Sequence, residues 1–242
     1  MPALPDAKSQ AVRLLREQLR QTRLQRRKFQ PSDSALDRVL PGGGIPYGGI
    51  VEWRGGTGSV AAELSLHLAA RICQAGKTLA VVDSRCQLYP PAMAGRGIDL
   101  NRVLLVHPQS RRDEVWAMVQ CLRCPSISMV WGCPQKLDAR EYRCLQLAAE
   151  TGGAAGMFVR PPGIAGRPTW ADAQLLVTPQ ASEEHRRFVV KVVNCRQGIP
   201  GKLVSVEMDA ITGELRECDE PFPMRLASQL ADPSSGRSAA RA

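Results

Sequence analysis

The sequence is first informative for what it lacks. No apolar run in its 242 residues approaches the roughly 18 needed to span a bilayer. No apolar stretch follows the charges near its N-terminus either, so neither a membrane span nor a secretory leader is expected, and the chain should be soluble and cytoplasmic. Histidine is scarce: His67, His107 and His185 stand singly, without the spacing of metal ligands. Cysteine is not scarce, but its pattern lacks a second C-x-x-C knuckle. Cys121 and Cys124 are followed by Cys133 and Cys144, which are not spaced as a knuckle, and Cys121 falls inside a helical pattern. The eight cysteines are therefore expected to be reduced core thiols rather than a disulfide framework or a zinc site, and no metal or other cofactor is expected. Acidic residues are outnumbered by basic ones, 23 to 32, which leaves a net charge of +9 and points to an anionic partner, most simply nucleic acid.

Much of that excess lies near the N-terminus. Ala11 to Phe29 contains neither glycine nor proline and reads as one helix of about five turns. Arg13, Arg16, Arg20, Arg23 and Arg27 recur at steps of three and four, on one stripe, beside Val12, Leu15 and Leu19. Three readings stay open for this arm: a solvated amphipathic helix, a surface that tracks phosphates, and a docking helix for a protein partner.

The centre of the chain is organised around the run from Gly44 to Leu64. Ile50 to Trp53 reads as a strand, Gly55, Gly56, Thr57, Gly58 and Ser59 as a turn, and Ala61 onward as a helix. That is the layout of a phosphate-binding loop, G-x-x-x-x-G-K-[ST], in which backbone N–H groups wrap the phosphates, the lysine reaches the terminal ones and the hydroxyl holds Mg²⁺. Counting from Gly55, the second glycine, the lysine and the hydroxyl fall on Val60, Ala61 and Ala62. The missing lysine contact and metal anchor together represent on the order of 3–6 kcal/mol. At about 1.4 kcal/mol per tenfold, a micromolar nucleotide site would weaken towards millimolar, so the chain is expected not to be an ATPase.

Pro31 to Leu40 reads as a linker entering a short helix capped by Ser32 or Asp33, and Pro41-Gly42-Gly43-Gly44 as a forced turn. Helices are predicted over Ala61 to Gln74, Pro90 to Gly95, Arg111 to Leu122 and Asp138 to Glu150. Strands are predicted over Thr78 to Val82, Val103 to Val106, Ser126 to Trp131, Ala155 to Val159, Gln174 to Val177, Phe188 to Asn194 and, last, Val204 to Met208. Strands alternating with helices imply an α/β fold with a mostly parallel sheet covered on both faces, and the late strands without helices imply an antiparallel edge. From Pro221 the chain loses periodicity, and a disordered tail is expected. The expected organisation is a basic helical arm (1–31), a core domain (32–220) and a tail (221–242).

Several stretches resemble the RecA recombinase in order: Gly44-Ile45-Pro46 through Glu52, Gly76-Lys77-Thr78 leading to Asp83, Gly97-Ile98-Asp99-Leu100-Asn101-Arg102-Val103-Leu104, and Lys191-Val192-Val193-Asn194. The resemblance covers roughly residues 32 to 210 and implies a RecA-like three-layer core. The Pro-Gly-Gly-Gly lead-in, Leu137-Asp138-Ala139-Arg140 and the helix Leu145 to Glu150 are similar to ImuA, a degenerate branch of that family, and the division inhibitor SulA has a related, stripped core. Against RecA, Arg85 stands where the catalytic glutamate is implied, and the strand Ser128 to Trp131 ends in Gly132 where a metal-coordinating aspartate is implied. Both DNA-binding loops are short.

The resemblance implies a non-catalytic accessory protein of a damage-inducible translesion synthesis complex. Its implied partners are an inactive Y-family polymerase homologue of the ImuB type and an error-prone replicative-type polymerase, with RecA and DNA as further candidates. Alternatives are a divergent nucleotide-binding recombination factor, with Lys77 or Arg85 replacing the lost lysine, a direct DNA binder, and a SulA-like division inhibitor. Candidate DNA or partner contacts are the five arm arginines with Arg160 and Arg167. Trp53 and Trp131 are expected in the core, and Asp83, at a strand end, as a cap of the next turn.

Overall fold

The computed structural model describes residues 28–55, 59–73, 76–95, 97–161, 169–180, 186–196, 200–209 and 214–218. The expected arm helix, all but its last two residues, and the expected tail lie outside these, as do Gly56, Thr57, Gly58, His185 and Arg167.

Eleven strands are described, in two sheets. A pair, β1 (Phe29–Gln30) and β2 (Ile45–Pro46), runs antiparallel. The main sheet has β3 (Ile50–Arg54), β4 (Thr78–Val82), β5 (Val103–Val106), β6 (Ile127–Gly132), β7 (Ala155–Arg160), β8 (Ala173–Gln180), β9 (Arg186–Cys195), β10 (Leu203–Met208) and β11 (Leu215–Glu217). Their spatial order is β11-β10-β9-β8-β3-β7-β6-β4-β5. The strands from β5 to β8 in that order are parallel, and β9, β10 and β11 are antiparallel. The helices are α1 (Val60–Cys73), α2 (Pro90–Gly95), α3 (Arg111–Arg123) and α4 (Ala139–Gly152), with 3-10 turns at Ala35–Arg38, Pro41–Gly43 and Leu100–Arg102.

The two faces follow from strand periodicity. Val51, Trp53, Leu79, Val81, Met129, Trp131, Met157 and Val159 share one core with α1, while Ile50, Ala80, Val82, Val130 and Phe158 share the other with α3 and α4. Parallel strands between two helical layers are apolar at nearly every position, which is why they read as continuous runs. In the antiparallel wing, Phe188, Val190 and Val192 are buried whereas Arg186, Lys191 and Asn194 are exposed. One side of the wing joins the α1 core, closed by the fully buried Leu36 of the first 3-10 turn.

Four details differ from the sequence reading. Phe29 is not helical but pairs with Pro46 in β1. The first short helix is capped by Ser34, whose hydroxyl accepts from the Leu36 amide, rather than by Ser32 or Asp33; Ser32 is occupied by Asp37. Val204 to Met208 is not the last strand, because β11 pairs with it. Cys73 and Cys121 alone are buried among the eight cysteines, with Cys86 and Cys144 exposed. Local signals placed the rest. Asp138 and Glu141 form a reciprocal capping box on α4, Ser110 caps α3, and Gly153 ends α4 in the left-handed conformation.

The α3–α4 contact depends on a glycine. A Cβ at Gly152 would lie 2.1 Å from the Leu122 carbonyl oxygen, whereas a Cβ at Gly95 meets nothing within 4 Å. Gly152→Ala is therefore expected to destabilise by about 1–3 kcal/mol through overpacking against backbone. Gly95→Ala should be neutral or stabilising by about 0.4–1 kcal/mol through the unfolded chain. Urea unfolding of the two variants checks this; equal destabilisation would contradict the steric account.

Candidate functional site

The carboxyl ends of parallel strands are where open α/β sheets bind ligands, and two sites stand there. The first follows β3. Gly55 leaves the strand with its amide donating to the Arg160 carbonyl at 2.8 Å, and Ser59 caps α1, its carbonyl accepting from Ala62 and Glu63. The Ser59 hydroxyl also lies 3.3 Å from the Ala62 amide. Two of the first-turn donors, the Ala62 and Glu63 amides, are thus engaged by Ser59 itself. Ala61 is buried and packs into the turn: a Cβ on Gly55 would come within 2.6 Å of the Ala61 Cβ and 2.4 Å of the Ser59 hydroxyl. Val60 is half-buried and Ala62 lines the neighbouring cleft. Glu63 adds a negative charge at the helix N-terminus and is held by Arg186 through two bonds of 2.6 and 2.5 Å.

That cleft has a volume of about 610 Å³ and lies between α1, the β4–α2 connection and the end of β6. Ser59, Ala62, Leu66, Met93, Ile98 and Trp131 form much of its lining, with Glu63, Asp83 and Arg85 among them. Asp83 is spent on structure, since its carboxylate accepts from the Arg85 and Leu88 amides at 3.3 and 2.7 Å. It caps its turn. Arg85 is exposed, and Gly132 has little room for a carboxylate, as a Cβ there would fall 2.7 Å from the Met118 methyl and 3.2 Å from the Val82 carbonyl oxygen. Trp53 is fully buried, and Trp131, also buried, donates to the Ser65 hydroxyl at 2.9 Å. Lys77 stands at the amino end of β4, with its ammonium 5.5 Å from the Tyr47 ring. It is therefore at the opposite edge of the sheet and is not a substitute for the phosphate-loop lysine. Among the described residues no three His, Cys, Asp or Glu converge as metal ligands.

The second site is a buried polar cluster on the α3–α4 face, which the sequence pattern did not reveal. Glu52, 1 % exposed, accepts from Tyr142 at 2.9 Å, Thr169 at 3.0 Å and Gln174 at 3.3 Å. Arg54 donates to the Gln174 oxygen at 2.9 Å. Arg160, a candidate surface contact, is instead inside, 5 % exposed, with its guanidinium over the Tyr142 ring at 6.0 Å. The only advance signal was an arginine at the carboxyl end of each of two otherwise apolar strands, with Glu52 in the middle of one of them. Nearby, Arg143 and Arg196 lie on the ring of half-exposed Trp170 at 5.2 and 5.5 Å.

Burial shifts several protons. The Tyr142 hydroxyl is raised well above its ordinary value by burial and by the Glu52 charge. Burial, followed by Asp83 and Glu114, pushes the Cys133 thiol from 9.0 up to about 12, against a smaller pull from Arg85. Burial likewise raises Cys73 to about 11. In each case the native protein holds a proton that the unfolded chain has lost, so the contribution is intact below pH 9.0 and declines as pH rises towards the folded values. Urea midpoints under reductant should fall above about pH 9, by about 1.4 kcal/mol per pH unit for each of these thiols. Cys133→Ala should lessen that decline by about 1.4 kcal/mol per pH unit, and an unchanged slope would remove this thiol from the account.

The fold matches that of known recombinases. The crystal structure of the RadB recombinase superposes with a TM-score of 0.61 at 15 % identity, over 78 % of this chain and all of that one. Protein RecA of Crocosphaera subtropica is 34 % identical over 95 residues, and Protein RecA of Mycoplasma genitalium 32 % over 95 residues. Each match takes in 39 % of this chain but only 27 % and 28 % of the relative, so the chain spans just over a quarter of the length of those proteins. No described helix is long and apolar enough to cross a membrane. Residues 9–131, half of the chain, match the model of the RecA N-terminal domain, and this chain belongs to that family.

Proposed function

We propose that this chain is a non-catalytic RecA-like accessory protein of a damage-inducible translesion DNA synthesis complex, of the ImuA branch, working in the cytoplasm as adaptor or regulator of error-prone polymerases. The observation that carries the reading is the state of the phosphate loop. Ala61 and Ala62 stand where an ATPase needs its lysine and hydroxyl, and Ala61 is packed against Gly55. Glu63 adds a carboxylate to the first turn of α1, paired with Arg186. Arg85 and Gly132 remove the water-activating and metal-binding carboxylates implied by the resemblance. Losing all four groups together leaves no phosphoryl-transfer machinery, so what remains useful is surface. The ImuB-type polymerase homologue and the error-prone replicative-type polymerase are the partners this reading names, with RecA and DNA next.

A second reading, a divergent nucleotide-binding recombination factor, is favoured by one feature: Arg85 stands exposed in the lining of the cleft that also contains Ser59. Titration with a fluorescent ATP analogue separates the two. The accessory reading expects no saturable binding below about 100 μM. Saturation below that level, lost in Arg85→Ala, would establish the second reading instead.

The partner assignment has its own test. The full chain is expected to capture the purified ImuB-type polymerase homologue in a pull-down, and a chain lacking residues 1–30 to lose it. Equal capture by both would move docking to the core, and no capture by the full chain would overturn the adaptor role.

A further inference from the structure

Two arginines side by side inside a protein require an explanation. Arg54 and Arg160 are register partners on the adjacent parallel strands β3 and β7, and they are 8 % and 5 % exposed. Arg54 uses one nitrogen on Gln174. Its Nε, together with Nε and Nη1 of Arg160, is buried without a hydrogen-bond partner. Glu52, on the same face, accepts from Tyr142, Thr169 and Gln174, and Asp172, a second buried carboxylate, accepts from the Ile50 amide at 3.0 Å.

Unmatched buried donors are rare in native proteins. Three donors on two separate guanidinium planes match a tetrahedral oxyanion, which presents several acceptor oxygens in different directions. A planar carboxylate would be satisfied by a single guanidinium fork. The position, at the carboxyl ends of parallel strands, is the edge at which such sheets take ligands.

We infer that Arg54 and Arg160 form an interior binding site for a phosphate group, distinct from the phosphate loop because both side chains lie on the α3–α4 face rather than under α1. The donors are shielded from solvent, so the anion is an integral part of the folded protein, entering by local opening and leaving slowly. Two sources supply the same group: free orthophosphate and the terminal phosphate of a nucleotide. The site is independent of whether the phosphate loop binds nucleotide.

The test is thermal unfolding of the full chain with orthophosphate titrated against chloride at constant ionic strength. The midpoint is expected to rise with the logarithm of orthophosphate concentration in the wild type, and the rise should be lost in Arg160→Met and in Arg54→Met. Arg160→Met removes two unmatched buried donors, so its midpoint without phosphate should be no lower than that of the wild type; Arg54→Met also strips the Gln174 oxygen of its donor and should lower it. A wild-type response no larger than chloride gives, or one retained in both variants, would overturn the site. Should the variants fail to fold, the ³¹P signal of orthophosphate with the wild type decides: a free resonance that keeps its full intensity and width at stoichiometric protein means no site. Deoxycytidine 5′-monophosphate in place of orthophosphate identifies the source. A midpoint shift at least tenfold lower in concentration assigns a nucleotide, and a weaker one assigns the free ion.

Discussion

The structure depends on β3, the strand that is covered on every side. All five of its residues are buried, although two of them, Glu52 and Arg54, carry charge. It is flanked by β7 on one side and β8 on the other, both parallel to it. Trp53 and Val51 anchor the α1 layer, while Ile50 anchors the α3–α4 layer. Burying an unpaired carboxylate costs far more than any one apolar contact returns, so Glu52 fixes the positions of the groups that satisfy it. Tyr142 on α4, Thr169 before β8 and Gln174 within β8 all reach it. One carboxylate thereby ties a helix and a neighbouring strand to the centre of the sheet.

The same strand leads into the phosphate-loop position at its carboxyl end. Its last residue, Arg54, borders the phosphate loop on one side and Arg160 on the other, and the Gly55 amide closes on the Arg160 carbonyl. The two described ends of the loop, Gly55 and Ser59, are thus set by the β3–β7 pairing and by the cap of α1.

Much of this architecture is legible in the sequence because local signals and the global fold agree. Thr78 to Val82, Pro90 to Gly95 and Val103 to Val106 can be read with their observed limits, since continuous apolar runs and proline or glycine punctuation coincide with the layer boundaries. The short elements are not legible. Phe29 and Gln30 form a strand only because Gly42 and Gly44 let the chain pass close: a Cβ at Gly44 would lie 2.3 Å from the Gln30 carbonyl oxygen. Nothing local to Phe29 announces that. Leu215 to Glu217 is similarly short, and it is a strand by virtue of its partner, Val206 to Met208. The polar cluster was missed for a related reason. Glu52, Tyr142, Thr169 and Gln174 are separated by up to 122 residues, and only the stacking of α4 over the sheet brings them together. The arginine stripe of the arm, by contrast, is obvious in sequence but falls outside the described residues.

The glycines of the loop carry a different lesson. Gly55 reads as the first glycine of a phosphate cradle, but its lack of a side chain has a sufficient cause in packing: Ser59 and Ala61 occupy the space its Cβ would need. A glycine at this point is required by the strand–turn–helix geometry itself, whether or not a ligand follows. The pattern of glycines therefore reports the fold, and the pattern of charged groups reports the chemistry. Where the two disagree, as they do here with Ala61 in the lysine's place, nucleotide binding has to be argued from the charges. The loop offers Ala61, Ala62 and a carboxylate at Glu63, while the buried guanidinium donors without partners at this end of the sheet lie on Arg54 of β3 and Arg160 of the neighbouring β7.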